Sequence, residues 1–123
     1  MSLLKDFYKI TSLEKQADGK AFATITLNKN HDIFNGHFPD NPVTPGVCMM
    51  QIVKEISETL SESKLLVKSA SNIKFMAIIN PEETPDLLLE FDLSEVDDVL
   101  KVKNTTKFGE TIALKMSVQY QKI

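Results

Sequence analysis

The chain has 123 residues, 42% of them hydrophobic and 25% charged, with a formal net charge of -3, which suits one globular domain over residues 1–123 with a single core. All fourteen basic residues are lysine and none cluster, which argues against nucleic acid and leaves an anionic partner to lysine point charges or backbone N–H groups. A lone cysteine, Cys48, excludes an intrachain disulfide; no Cys and His set marks a metal, and no apolar run or export signal points to a membrane, so a soluble, cytoplasmic protein is expected.

In chain order, the first clear element is a half-buried strand over Lys20 to Asn28, with Ala21, Ala23, Ile25 and Leu27 on one face and Lys20, Thr24 and Thr26 on the other. A proline- and glycine-rich loop, Gly36 to Gly46, leads into the one persuasive helix, about Pro45 to Ser61. There Met49, Val53, Ile56 and Leu60 form a stripe of period 3.6, and Lys54, Glu58 and Ser61 fall opposite. Pro45 suits the first turn, where a missing N–H costs nothing. From Val47 to Val53 the helix is apolar around almost its whole circumference except at Gln51, so this half is expected to be wrapped by other structure.

Alternation then marks strands at Ile73 to Ile79, Leu87 to Leu93, Val99 to Lys107 and Thr111 to Tyr120. Turn signals separate them at Asn80-Pro81, Glu95 to Asp98 and Phe108-Gly109, as Asp18-Gly19 does before the first strand. One buried helix between two early strands and about four later ones predicts an α+β fold, a curved antiparallel sheet of about six strands around the helix, with the later strands as a meander.

Chemistry concentrates in GHFPDNPVTPGVCMMQIVKE, Gly36 to Glu55. Three prolines and two glycines restrict the loop, and the residue they position is His37, whose side chain titrates near neutrality. Gly46 opens the helix, where unpaired N–H groups and the dipole favour developing negative charge and no side chain blocks approach. A thioester carbonyl placed there would have its oxyanion stabilised. Gln51 is the polar residue of the apolar run, and Glu55, four residues on, shares its face.

Each of these has an ordinary structural reading as well: a hydrogen-bonded loop histidine, a helix cap, a satisfied amide, and a partly solvated carboxylate. Cys48, Met49 and Met50 read most simply as core, although flexible methionines also suit an acyl-chain tunnel. His31-Asp32 carries little weight as a dyad, because adjacent residues seldom face each other.

The run Ile33 to Val47, I-F-x-G-H-F-P-x-x-P-V-x-P-G-V, resembles the 3-hydroxyacyl-acyl carrier protein dehydratases, which have the hot-dog fold. The resemblance implies dehydration of a 3-hydroxyacyl thioester on acyl carrier protein to the trans-2-enoyl product, with no metal and no cofactor. It places the α-proton base on His37 and the carbonyl-binding N–H on Gly46, and it sets Phe34, Phe38, Val47, Met50 and Glu55 around the substrate. It also implies a site shared across a homodimer, or a larger dimer-based oligomer. The sequence departs from the family at Gln51, fourteen residues after His37, where an acidic residue assists departure of the hydroxyl. The acid stands four residues later, at Glu55, where many members carry glutamine. Asp40 stands where a small residue is usual. A hot-dog acyl thioesterase, or a non-catalytic acyl-binding subunit of a dehydratase, are the other readings the motif leaves open.

Overall fold

The computed structural model describes residues 6–36 and 42–123. Strands β1 (Tyr8–Lys15) and β2 (Lys20–Leu27) are followed by a short helix α1 (Ile33–Gly36) and the long helix α2 (Gly46–Ser61). Strands β3 (Leu65–Phe75), β4 (Asp86–Val96), β5 (Val99–Phe108) and β6 (Thr111–Lys122) complete the order. All six strands form one antiparallel sheet in the order β1-β2-β4-β5-β6-β3. A six-stranded antiparallel sheet packed on one long helix is the hot-dog fold.

The period-2 pattern sets the inner face. Ala21, Ala23, Ile25 and Leu27 of β2, Leu87, Leu89 and Phe91 of β4, and Leu114, Met116, Val118 and Tyr120 of β6 form one core with Met49, Ile52, Val53, Ile56 and Leu60 of α2. Burying each Val, Leu, Ile, Met or Phe side chain among these contributes about 1.5–3 kcal/mol, so the helix is held by its apolar stripe rather than by end capping. Its N-cap is Pro45, which makes no side-chain cap bond; the proline therefore stands one position before the first turn, and its carbonyl accepts from the N–H groups of Cys48 (3.0 Å) and Met49 (3.3 Å). At the other end Glu62 takes a left-handed conformation and Ser63 N–H closes back on Glu58 O at 3.2 Å, the geometry that satisfies last-turn carbonyls.

Two turns follow directly from their residues. Gly19 has φ +78, and a Cβ there would lie 2.1 Å from the carbonyl oxygen of Leu93, so only glycine fits where β1 turns into β2 against β4. Asp97 and Asp98 both have positive φ (50 and 64), the paired left-handed geometry that matches the twist of a two-residue hairpin.

Three expectations need correction. The strand placed at Ile73 to Ile79 runs instead from Leu65 to Phe75; beyond its end, Met76 and Ala77 both donate to the Ala113 carbonyl, at 2.7 and 3.3 Å. The meander comprises β4, β5 and β6 alone, since β3 pairs with β6 at the far edge. The intervening α2 carries the chain across the sheet before β3 begins. Finally, the first half of α2 is not fully wrapped: Val47 is 74% exposed, because no described element of this chain covers that side.

Candidate active site

Gly46 is the first residue of α2, so its N–H belongs to the set that an α-helix cannot satisfy internally, at the positive end of the helix dipole. The ring of Phe75, from the end of β3, lies against its α-carbon: a Cβ added at Gly46 would meet Phe75 Cζ at 2.6 Å. The glycine thus makes a close contact with Phe75 that no sequence pattern announces. Phe75 is itself 54% exposed, beside exposed Met76, Ile78 and Val47, so the helix start sits in apolar but accessible surroundings.

From Val47 along the helix, a groove of about 220 Å³ is lined by Val47, Met50, Gln51 and Lys54 of α2, Val67 of β3, and Met116, Val118 and Tyr120 of β6. Most of this lining is hydrocarbon, with the Gln51 amide as an uncharged polar group and Lys54 at its rim, where Lys54 Nζ lies 4.0 Å from Glu58. Glu58 in turn accepts from the backbone N–H of Leu65 at 3.0 Å, tying the helix to the start of β3. The Tyr120 phenol is held neutral by burial, helped by the negative charge of Glu58, which raises its pKa.

Gln51 and Glu55 are in contact. Gln51 Nε2 donates to Glu55 Oε2 at 3.0 Å, the i,i+4 relation expected from their spacing. The other carboxylate oxygen, Oε1, accepts from the hydroxyl of Tyr8 at 2.8 Å. Tyr8 opens β1, 47 residues away in sequence; burial pushes its pKa well up, and the hydrogen bond to Glu55 and that group's charge add to the effect. Tyr8 was not singled out from the sequence, and an isolated tyrosine at a strand start carries no signal that could have done so.

Met50 and Val47 line the groove beside Gln51. Phe34 does not: it is buried and stacks on Phe7 with ring centroids 5.4 Å apart. Cys48 points into the core, where burial raises its thiol pKa, so it is a packing residue and not a nucleophile. His31 makes structural contacts, its Nδ1 accepting from the Ile33 N–H at 3.1 Å and its ring lying edge-on to Phe7 at 5.2 Å. His37, Phe38 and Asp40 lie outside the described residues. Among the described residues no group of His, Cys, Asp and Glu could hold a metal ion, and no helix is long and apolar enough to cross a membrane.

A hot-dog sheet, an accessible glycine at the start of its central helix and the histidine motif of Ile33 to Val47 together define a protein of the dehydratase class. Residues 13–117 match the family described as ApeI-like, ApeI dehydratase. The chain belongs to this family of dehydratases. It is 32% identical, over 113 residues, to the 3-hydroxyacyl-[acyl-carrier-protein] dehydratase FabZ of Halalkalibacterium halodurans, a match that takes in 91% of this chain and 66% of that protein. To the FabZ of Caldanaerobacter subterraneus subsp. tengcongensis it is 26% identical over 109 residues, 82% of this chain and 76% of that one. Among solved structures, the dehydratase heterocomplex ApeI:P from Xenorhabdus doucetiae superposes with a TM-score of 0.74 at 24% identity, covering 92% of this chain and 96% of that one. A hypothetical thioesterase with coenzyme A from Streptococcus pneumoniae shares the fold at 14% identity and a TM-score of 0.62, over 94% of this chain and 87% of that one.

Proposed function

We propose that this chain is a working dehydratase that converts a 3-hydroxyacyl thioester, carried on acyl carrier protein, to the trans-2-enoyl thioester. The observation that carries the reading is Gly46. It presents a helix-start N–H in accessible surroundings, with no side chain of its own to obstruct a ligand and the Phe75 ring against its α-carbon, and an apolar groove continues from Val47. A thioester carbonyl bound there gains an oxyanion ligand as the neighbouring carbon loses its proton.

In this mechanism His37 takes the α-proton, the electron pair of that C–H bond forms the double bond, and the C3–O bond breaks. The imidazolium returns its proton to the departing hydroxyl, which leaves as water, so no proton is gained or lost and no cofactor is required. Val47 and Met50 lie along the acyl chain, with Phe38 assigned beside them on the motif alone. Phe34 supports the site from the core rather than touching substrate.

Gln51 is an amide where the family's acid stands, and an amide cannot act as general acid. That favours one second reading, a non-catalytic acyl-binding subunit that works beside an active dehydratase. A thioesterase using Glu55 as base draws less support, because both of that carboxylate's oxygens are already engaged by Tyr8 and Gln51.

We also assign the chain to a dimer, formed through β3. That strand is an edge of the sheet, and it and its flanks expose Leu66, Val67, Phe75, Met76 and Ile78, a combination that a lone soluble chain has reason to cover. The chain is read as one hot-dog unit acting in the cytoplasm.

The test is the appearance of enoyl absorbance from a 3-hydroxyacyl carrier protein. Wild type should exceed His37→Ala by about 10²- to 10⁴-fold, and equal rates sink the dehydratase reading. The exchange variant Gln51→Glu/Glu55→Gln, which restores the acid to the usual position, should turn over about 10²-fold faster than wild type. Activity that appears only on mixing with an active dehydratase subunit would establish the second reading instead.

A further inference from the structure

The contact between Gln51 and Glu55 constrains which way the amide faces. A carboxylate offers only acceptors, so Gln51 must turn its NH2 toward Glu55; the flipped amide would set oxygen against oxygen across 3.0 Å. The carboxylate cannot swing away to relieve this, because its second oxygen is tethered by the Tyr8 hydroxyl at 2.8 Å. Tyr8 is anchored in turn by β1, whose ladder pairs it with Leu27. Burial keeps its phenol protonated, so it remains a donor across the working range of pH. Gln51 lines the groove while neither Tyr8 nor Glu55 does, and its Oε1 and second N–H have no partner among the described residues.

We propose that Tyr8 and Glu55 are positioning residues that lock the Gln51 amide with its carbonyl oxygen left for the groove, where it accepts the hydrogen of the substrate's 3-hydroxyl. The role rests on the dehydratase reading, and it changes what position 51 contributes. A hydroxyl whose hydrogen is held by Oε1 keeps its lone pairs for the group that must protonate it. Gln51 therefore orients the leaving group, and the proton that completes water comes from the histidine alone. The same lock explains why an amide and an acid can exchange places on the helix: what is retained is the hydrogen-bonded pair, anchored now from β1.

The experiment compares Tyr8→Phe and Glu55→Gln with wild type, each also in a Gln51→Ala background. Tyr8→Phe releases the carboxylate, and Glu55→Gln offers Gln51 a donor that lets it flip. Each should lower kcat by about tenfold to a hundredfold with KM within about twofold, the mark of lost orientation rather than lost binding. In the Gln51→Ala background the same two changes should cost less than about twofold, because a residue that acts only through Gln51 has nothing left to act on. Additive losses in the two backgrounds would show a merely structural role and overturn the proposal, as would full kcat in both single variants while His37→Ala is inactive. The Gln51 side-chain amide in a ¹⁵N spectrum provides a readout independent of turnover: one NH2 proton shifted downfield and slowed in solvent exchange by its bond to Glu55 in wild type, with both effects lost in Tyr8→Phe. NH2 protons that are neither shifted nor slowed in wild type overturn the lock. Wild-type turnover equal to that of His37→Ala refutes both the dehydratase reading and the acceptor role, a result readily told from failure of the lock alone.

Discussion

Replacing Gly46 with alanine would set a methyl carbon 2.6 Å from Cζ of Phe75 and 3.1 and 3.2 Å from its two Cε atoms. Overpacking of this kind costs about 1–3 kcal/mol. Phe75 is a terminal strand residue and 54% exposed, so its ring can swing toward solvent, which puts the cost near the lower end, about 1 kcal/mol. Opposing it, alanine restricts the unfolded chain, a gain of about 0.4–1 kcal/mol where the backbone permits a side chain, and Gly46 does not occupy the left-handed region. The single variant should therefore be neutral to slightly destabilised.

In a Phe75→Ala background the clash is gone and Gly46→Ala should become stabilising. The coupling between the two positions is then about 1 kcal/mol, or about 3–5 °C in Tm for a domain of this size. Thermal melts of the four proteins measure it directly. Enoyl absorbance on the same samples separates stability from access, because the methyl group still obstructs the carbonyl's approach, so the double variant should regain its melting temperature and not its turnover. An equal shift from Gly46→Ala in both backgrounds refutes the contact, and full turnover in the double variant refutes the claim that the glycine is kept for the substrate.

Two further outcomes follow from the geometry. Tyr8 and Tyr120 both have raised phenol pKa values, so the unfolded chain releases these protons first as pH rises above about 10. The stability they contribute is complete below that value and is lost as pH climbs toward the folded-state pKa values; Tyr8→Phe should flatten this alkaline loss in melts taken at stepped pH, and an unchanged slope removes Tyr8 from it. Leu66→Lys puts a charge on the β3 edge at a site 53% exposed in the single chain, where the change should cost the fold no more than about 0.5 kcal/mol. Sedimentation should then report monomer in place of dimer, and an unaltered dimer would place the contact elsewhere.

The sheet was legible wherever one face is buried and the other wet, as in β2, β4, β5 and β6, whose alternating residues locate each strand and its inner face. β3 was misplaced for the converse reason. At the sheet edge most of its side chains are exposed on both faces, Ser69, Ala70 and Ser71 among them, and no burial difference imposes a period. The apparent alternation from Ile73 to Ile79 straddles the end of the strand. At the site, the Gln51–Glu55 pair was readable because helix geometry is local. Tyr8 on Glu55 and Phe75 on Gly46 are tertiary contacts between distant segments, and nothing near either residue encodes its partner.

The placement of β3 beside β6 also bears on how the chain is made. On the ribosome Leu65–Phe75 emerges well before Thr111–Lys122, the strand against which it pairs, so the nascent chain carries this apolar segment unpaired until the last strand is synthesised. Met116, Val118 and Tyr120 of that strand also contribute to the groove. The groove therefore cannot be complete in any shorter nascent intermediate, and a ribosome stalled before β6 would leave a sticky fragment without it for chaperones or proteases to remove.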